Sequence, residues 1–425
     1  MKELGKGMIL AAAAALMVWI HWNRKRKAGI NWLQYGQRLL GLQPPSPNRK
    51  GYLDELRLLA AVLVILVHSM QSAASQLLAS GQSAGAGGRG MWYLLTGAAG
   101  LGLCCNLLFV MISGALLLPY REEGAGTFYQ KRAAKVVIPL IAYYLFYLRR
   151  SGLVSFSLSS IGAALRMILS GPMELVPHFW LIYVLIGLYI GVPFLRWMFR
   201  ELPDPVLHGM AAVILLGAAA KTGCYFLGIG FGVDAFLFSW EGIFLLGMIM
   251  TRERSRKYDQ MVWIGGGAAA VLIVWIACTR EDGAAAAAND SILMILFSMA
   301  VFLFFLRKEE RRMGRAGRVG SGDSRQRRPV QMAVQVISRY SYSVLLIHWF
   351  MLFVVAEKHM HLSPMLFGGR WILAGVAVQS AAALLLSLIF AVVFDQTVVL
   401  LGEWCWDGVG AVIRKIHDKY CPNWR

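Results

Sequence analysis

The sequence predicts an all-α polytopic membrane protein with about ten transmembrane helices, preceded by an extra N-terminal hydrophobic helix. Three observations carry this. Of 425 residues, 58% are hydrophobic and only 15% charged, with a mean hydropathy of +0.57, so the chain lacks the polar surface of a soluble globule. Apolar runs of spanning length recur along it. Between them the basic residues sit in short clusters, the pattern of loops retained on the inner side of a membrane. The formal net charge of +19 could suggest nucleic acid, but its distribution argues against that partner. Six cysteines (Cys104, Cys105, Cys224, Cys278, Cys405 and Cys421) lie mostly in apolar segments without ligand spacing, which argues against a disulfide framework and against a metal site.

In chain order, the apolar run Met8 to Ile20 is closed by Arg24-Lys-Arg-Lys27. A basic cluster directly after such a run opposes translocation, so residues 1–50 read as a signal-anchor or interfacial helix and a basic cytoplasmic linker containing Pro44, Pro45 and Pro47. Apolar segments follow near 53–72, 93–118, 134–148, 178–197, 206–227, 232–250, 260–278, 291–306, 340–356 and 372–399. With the first entering from inside, the loops 120–135, 196–205, 251–260 and 307–339 are cytoplasmic, and all four carry Lys/Arg clusters. The external loops 71–90 and 279–290 are instead rich in Gly, Ala and Ser. That agreement supports the register of the ten segments. The run from Arg307 to Arg328 holds nine basic residues against three acids. It reads as a topology signal, with contact to an anionic donor or to lipid head groups as the functional alternative. Residues 401–425, with Trp404, Trp406 and Trp424 among basic residues, predict an amphipathic cytoplasmic tail, leaving 51–400 as the membrane domain.

The most informative segment is Leu53 to Ser69, which places Asp54, Arg57 and His68 on an otherwise apolar helix. Arg57 and His68 are eleven positions apart, about three turns, so they share a face roughly 16 Å apart along the axis. Charge buried in a bilayer costs several kcal/mol per group unless it is paired or faces a cavity, so this face reads as a site. The bland alternative is a snorkelling helix end and one satisfied core histidine. Elsewhere, His178 opens a helix beside Trp180, Glu241 follows Trp240 in an apolar run and calls for a partner, and His348 lies inside the ninth segment. Ser113 with Gly114 suits close helix packing better than nucleophilic catalysis.

Leu53-Asp-Glu-Leu-Arg57, followed after ten further residues by His68, resembles the first membrane helix of the acyltransferase-3 family of integral membrane acyltransferases. Further stretches match in order: Phe109 to Leu118, Phe128 to Pro139, His178 to Tyr189, Phe244 to Gly247 and Ser338 to His348. The resemblance spans about residues 50 to 400. It departs from the family where an Arg-x-x-Arg pair is usual, because here the positions are Arg132 and Lys135. Lysine keeps the charge and loses the bidentate fork.

The resemblance implies transfer of an acyl group, acetyl foremost, from acyl-CoA to a hydroxyl of a cell-surface glycan or its lipid-linked precursor. It implies no bound cofactor, with acetyl-CoA as donor substrate, and a multi-pass protein of the bacterial cell (plasma) membrane. Such transfer needs a base for the hydroxyl proton, donors for the developing oxyanion and cations for the donor's phosphates. His68 is the candidate general base, with transient acyl carriage as the lesser alternative. Arg57, Arg132 and Lys135 are the donor-binding candidates, and Asp54, His178, Glu241 and His348 the supporting ones. A rival class, a multi-pass transporter of a polar solute, would use the same Asp, Arg and His, although no internal repeat supports it.

Overall fold

In a computed structural model, residues 2–42, 49–82, 85–155, 157–233, 236–279, 289–316 and 329–420 are described; they are helical, with no strand among them. Each expected apolar segment carries a helix along at least part of its described length. Among the described residues, seven stretches are long and apolar enough to cross a membrane: Gly51–Ala79, Gly87–Leu117, Pro177–Phe199, Asp204–Phe226, Ser255–Thr279, Pro329–His359 and Gly369–Ala411. The other three expected spans fall short for local reasons. The third is a helix with a basic entry, α6 (Ala125–Arg132), then a π-helical turn, Ala133–Val137, then α7 (Ile138–Arg150). The sixth, α11 (Trp240–Ile249), has only ten residues, and the eighth, α13 (Ile292–Ala316), ends in charged turns.

Two loops expected outside the membrane are shorter than the sequence suggests. The first spanning helix, α3, runs over Gly51–Ala79, and α4 over Ala86–Gly102, so most of the expected loop 71–90 is helical. The reason is that Gln, Ser and Ala past residue 70 continue the helix and find polar partners, Gln76 donating to Ser72 and to Glu357. Likewise α14 (Pro329–Trp349) begins well before residue 340 and continues as a π-helical segment to His359. The part of the basic loop at 317–328, and Cys421 and Trp424, lie outside the described residues.

The chain forms two compact units. One comprises residues 1–48, 126–170 and 389–425. It contains α1 (Lys2–Ala28), α2 (Trp32–Leu39), α6, α7, α8 (Leu158–Leu169) and the C-terminal α16 (Leu400–Tyr420). The N-terminal hydrophobic segment is thus one continuous helix. It is fixed by His21, whose Nε2–H donates to the Gln396 carbonyl at 2.9 Å while Nδ1 accepts from the Tyr35 hydroxyl at 2.9 Å. Trp19 meets Trp404 edge-on at 6.4 Å, and Arg24 reaches Glu403 at 3.5 Å.

The other unit, residues 49–125 and 171–388, holds the remaining helices, including α5 (Cys104–Leu117), α9 (Trp180–Phe199), α10 (Asp204–Phe226) and α12 (Asp259–Thr279). Its tightest crossing joins α5 and α11. A Cβ on Gly114 would overlap the Phe244 carbonyl, and one on Gly247 the Met111 carbonyl, so the two backbones touch because neither position bears a side chain. Gly114→Ala is therefore expected to lower stability by about 1–3 kcal/mol, read as an earlier thermal unfolding midpoint in detergent; an unchanged midpoint would show that the helices separate freely. At the basic end of this unit, Arg307 forks onto Asp259 at 2.7 and 2.9 Å and reaches Glu310 at 2.7 Å, while Lys308 pairs with Glu55. These basic residues tie α3, α12 and α13 together.

Candidate functional site

The helix carrying the Asp, Arg and His packs beside α14 in the same direction, because Asp54 meets Ser338 near one end and His68 meets His348 further along both helices. This parallel pairing creates two polar clusters at the levels of Arg57 and His68.

At the first, Asp54 is 6% exposed and accepts three hydrogen bonds: from Arg57 at 3.1 Å, from Arg49 at 2.6 Å and from the Ser338 hydroxyl at 2.7 Å. Asp54 therefore both orients Arg57 and offsets its charge. Two guanidiniums on one carboxylate leave the cluster net positive. It forms locally because positions 54 and 57 are one turn apart on the helix.

At the second, three of the sequence candidates converge. The His68 ring stacks on His348 at 5.5 Å and meets Trp349 edge-on at 5.0 Å. His178, on the 3₁₀ turn Pro177–Phe179 that opens α9, stands 5.0 Å from His348 and stacks on Trp349 at 5.8 Å. His348 is fully buried and His178 nearly so, whereas His68 is partly accessible. Both buried rings have a defined tautomer in the neutral form. A carbonyl only accepts, so His348 places its proton on Nδ1 toward the Leu345 carbonyl at 2.8 Å, and His178 places its own on Nε2 toward the Leu346 carbonyl at 3.0 Å. Among the described residues, His348 Nε2 has no hydrogen-bond partner. A buried nitrogen lone pair beside an accessible imidazole is a base-rich, water-poor setting.

Residues 50–395 match the model of the acyltransferase-3 family, described as an acyltransferase domain. The chain belongs to this family. No curated protein and no solved structure gives a significant match to it. Membership decides between the enzyme and transporter readings: the protein is a membrane acyltransferase.

Within the acyltransferase, the remaining candidates are placed as follows. Arg132 ends α6, its guanidinium over the Phe128 ring at 5.6 Å, and Lys135 lies in the π-helical turn; both belong to the unit that does not contain Arg57 and His68. Glu241 sits in the first turn of α11, where its partner among the described residues is the Ser239 hydroxyl and not an arginine. That position also suits the helix dipole. Ser113 bonds the Tyr189 hydroxyl at 2.9 Å, joining α5 to α9.

A polar chain that sequence reasoning missed adjoins the histidines. Ser69, the neighbour of His68, donates to Gln379 at 2.5 Å, and Gln379 in turn donates to Glu357 at 3.2 Å. Gln76 donates to the other Glu357 oxygen at 3.0 Å. Glu357 falls one residue beyond the ninth apolar segment and so reads as loop, although it lies in the π-helical stretch Phe350–His359 that continues α14 past Trp349. Such π-helical stretches often occur at functional sites. Gln379, fully buried in α15 (Ile372–Phe394), was the available signal: an uncharged amide inside an apolar span must find partners.

Proposed function

We propose that the protein transfers an acyl group, acetyl foremost, from acyl-CoA to a hydroxyl of a cell-surface glycan or its lipid-linked precursor, acting in the bacterial cell (plasma) membrane with His68 as general base. The single observation that supports this is the meeting of His68, His178 and His348 around Trp349, at a level about 16 Å along α3 from Arg57. His68 is the accessible ring of the three, so it is the one to take the hydroxyl proton. The resulting oxygen nucleophile forms the new C–O bond at the thioester carbonyl, the C–S bond breaks, and the thiolate leaves to be protonated. Trp349 carries an indole N–H, a donor of the kind a developing oxyanion needs.

The acceptor hydroxyl is held from the Ser69–Gln379–Glu357 side, where acceptors and donors alternate. The donor's phosphates stay at the Arg57 level, where Arg49 and Arg57 leave a net positive cluster around Asp54; Arg132 and Lys135 are the cations the family resemblance assigns to the same donor. No bound cofactor takes part.

Inverted membrane vesicles supplied with acetyl-labelled acetyl-CoA test this. Label is expected in a glycan or glycolipid fraction. Release of free acetate alone, or no consumption of donor, would reject the proposed reaction.

A further inference from the structure

At the basic end of the unit that contains Arg57, a cavity of about 280 Å³ opens among the ends of α5, α9 and α11 and the residue just before α3. Its apolar floor includes Leu118 and Met248, and its walls present Lys50, Arg196, Arg200 and Arg252. Four cations around one small cavity is an unfavourable arrangement unless something anionic compensates it.

The protein's own acids compensate only part. Arg196 is 5% exposed and held in place by the Leu117 carbonyl at 2.5 Å and Glu123 at 3.1 Å. Arg200 lies over the Tyr120 ring at 4.5 Å and contacts Glu201, a largely exposed pair that water screens. Among the described residues, Lys50 and Arg252 have no acidic partner. Partial burial, and then the neighbouring Arg121, hold the Lys50 ammonium below the usual lysine range.

We infer that this cavity binds a phosphate group, with Lys50, Arg200 and Arg252 as its ligands and Arg196 as the fixed cation behind them. Guanidinium forks match phosphate oxygens, and an ammonium adds a point charge. Resting on the acyl-transfer reading above, the phosphate is that of the acyl-CoA nucleotide, since Lys50 caps the start of α3 and Arg57 lies about two turns further along that helix. The same chemistry would also suit the head group of an anionic lipid. The cavity belongs wholly to one unit and uses none of the family-motif cations.

The test uses the full-length protein in nanodiscs of phosphatidylcholine. Free coenzyme A and its 3′-dephospho form are titrated calorimetrically into the wild type, Lys50→Gln and Arg252→Gln. Each substitution is expected to weaken coenzyme A binding about tenfold, with Lys50→Arg and Arg252→Lys recovering most of it. Wild-type thermal midpoints in the variants exclude misfolding. A lipid source is recognised by a different pattern: coenzyme A binding stays unchanged while native mass spectrometry shows co-purified phosphatidylglycerol lost from both Gln variants. Unchanged binding of both coenzyme A and lipid overturns the site. The two readings fail separately. Binding that depends on Lys50 and Arg252 without any acyl transfer would remove the acyl-CoA reaction and keep the site. Transfer with an unaltered KM for donor in both variants, and no lipid change, would remove the site and keep the reaction.

Discussion

Replacing His68 with glutamine is expected to lower kcat for acyl transfer by about 100- to 10,000-fold, the range that a positioned general base contributes. In barrier terms that is about 3–5 kcal/mol. Glutamine keeps a polar side chain of similar reach against Trp349 and His348 but does not take up a proton near neutral pH. The expected signature is a split: kcat falls while donor binding holds, because Arg57 and the cations near it lie roughly 16 Å away along α3. Full retained turnover would remove His68 from the chemistry. A parallel loss of donor affinity would point to a collapsed bundle, which the thermal midpoint reveals. His348→Gln is the informative companion. It removes a fully buried ring held through Nδ1, and a comparable loss of turnover with an intact midpoint would place His348 beside His68 in handling the proton.

Replacing Asp54 with alanine is expected to be the most damaging single change to stability at the site. The carboxylate is buried and accepts from Arg49, Arg57 and Ser338, so its removal strands two guanidiniums and a hydroxyl together. For a fully buried pair the loss is about 3–5 kcal/mol. The arginine side chains here are 31% and 27% exposed, so water relieves part of the repulsion and about 2–3 kcal/mol is expected. Asp54→Asn keeps an acceptor oxygen for Ser338 and should lose less. Both variants should also raise the KM for donor, since Arg57 is no longer oriented. Thermal unfolding and donor titration check the two halves, and an alanine variant as stable as the wild type would show that Arg49 and Arg57 need no counter-charge.

Composition and periodicity suffice for the membrane class, because a bilayer imposes length and apolarity on each span directly, and these are one-dimensional properties of the chain. Nine of the ten apolar segments lie on helices along most of their length for that reason, and the sixth carries the short helix Trp240–Ile249. Residues one or three turns apart on one helix are equally legible, so the Asp54–Arg57 pair and its distance from His68 follow from helical geometry alone. Packing between Ser113-Gly114 and a partner helix was legible as small-residue chemistry, though not the identity of α11 as that partner.

What lies between helices is a different matter. That His68, His178 and His348 share one place depends on the parallel pairing of α3 with α14 and on where α9 begins. Positions 68, 178 and 348 carry no trace of each other in a single sequence. Glu357 and Gln379 were hidden because hydrogen bonding across helices, and not local pattern, keeps such groups in an apolar span. The cationic cavity unites residues 50, 196, 200 and 252, each of which on its own resembles an ordinary basic anchor of a membrane helix. The membrane setting, the helices and the polar residues that break their apolar pattern are all legible along the chain. Which of those residues meet is settled by the folded arrangement, because side-chain proximity between spans depends on helix direction and packing, which no local spacing encodes.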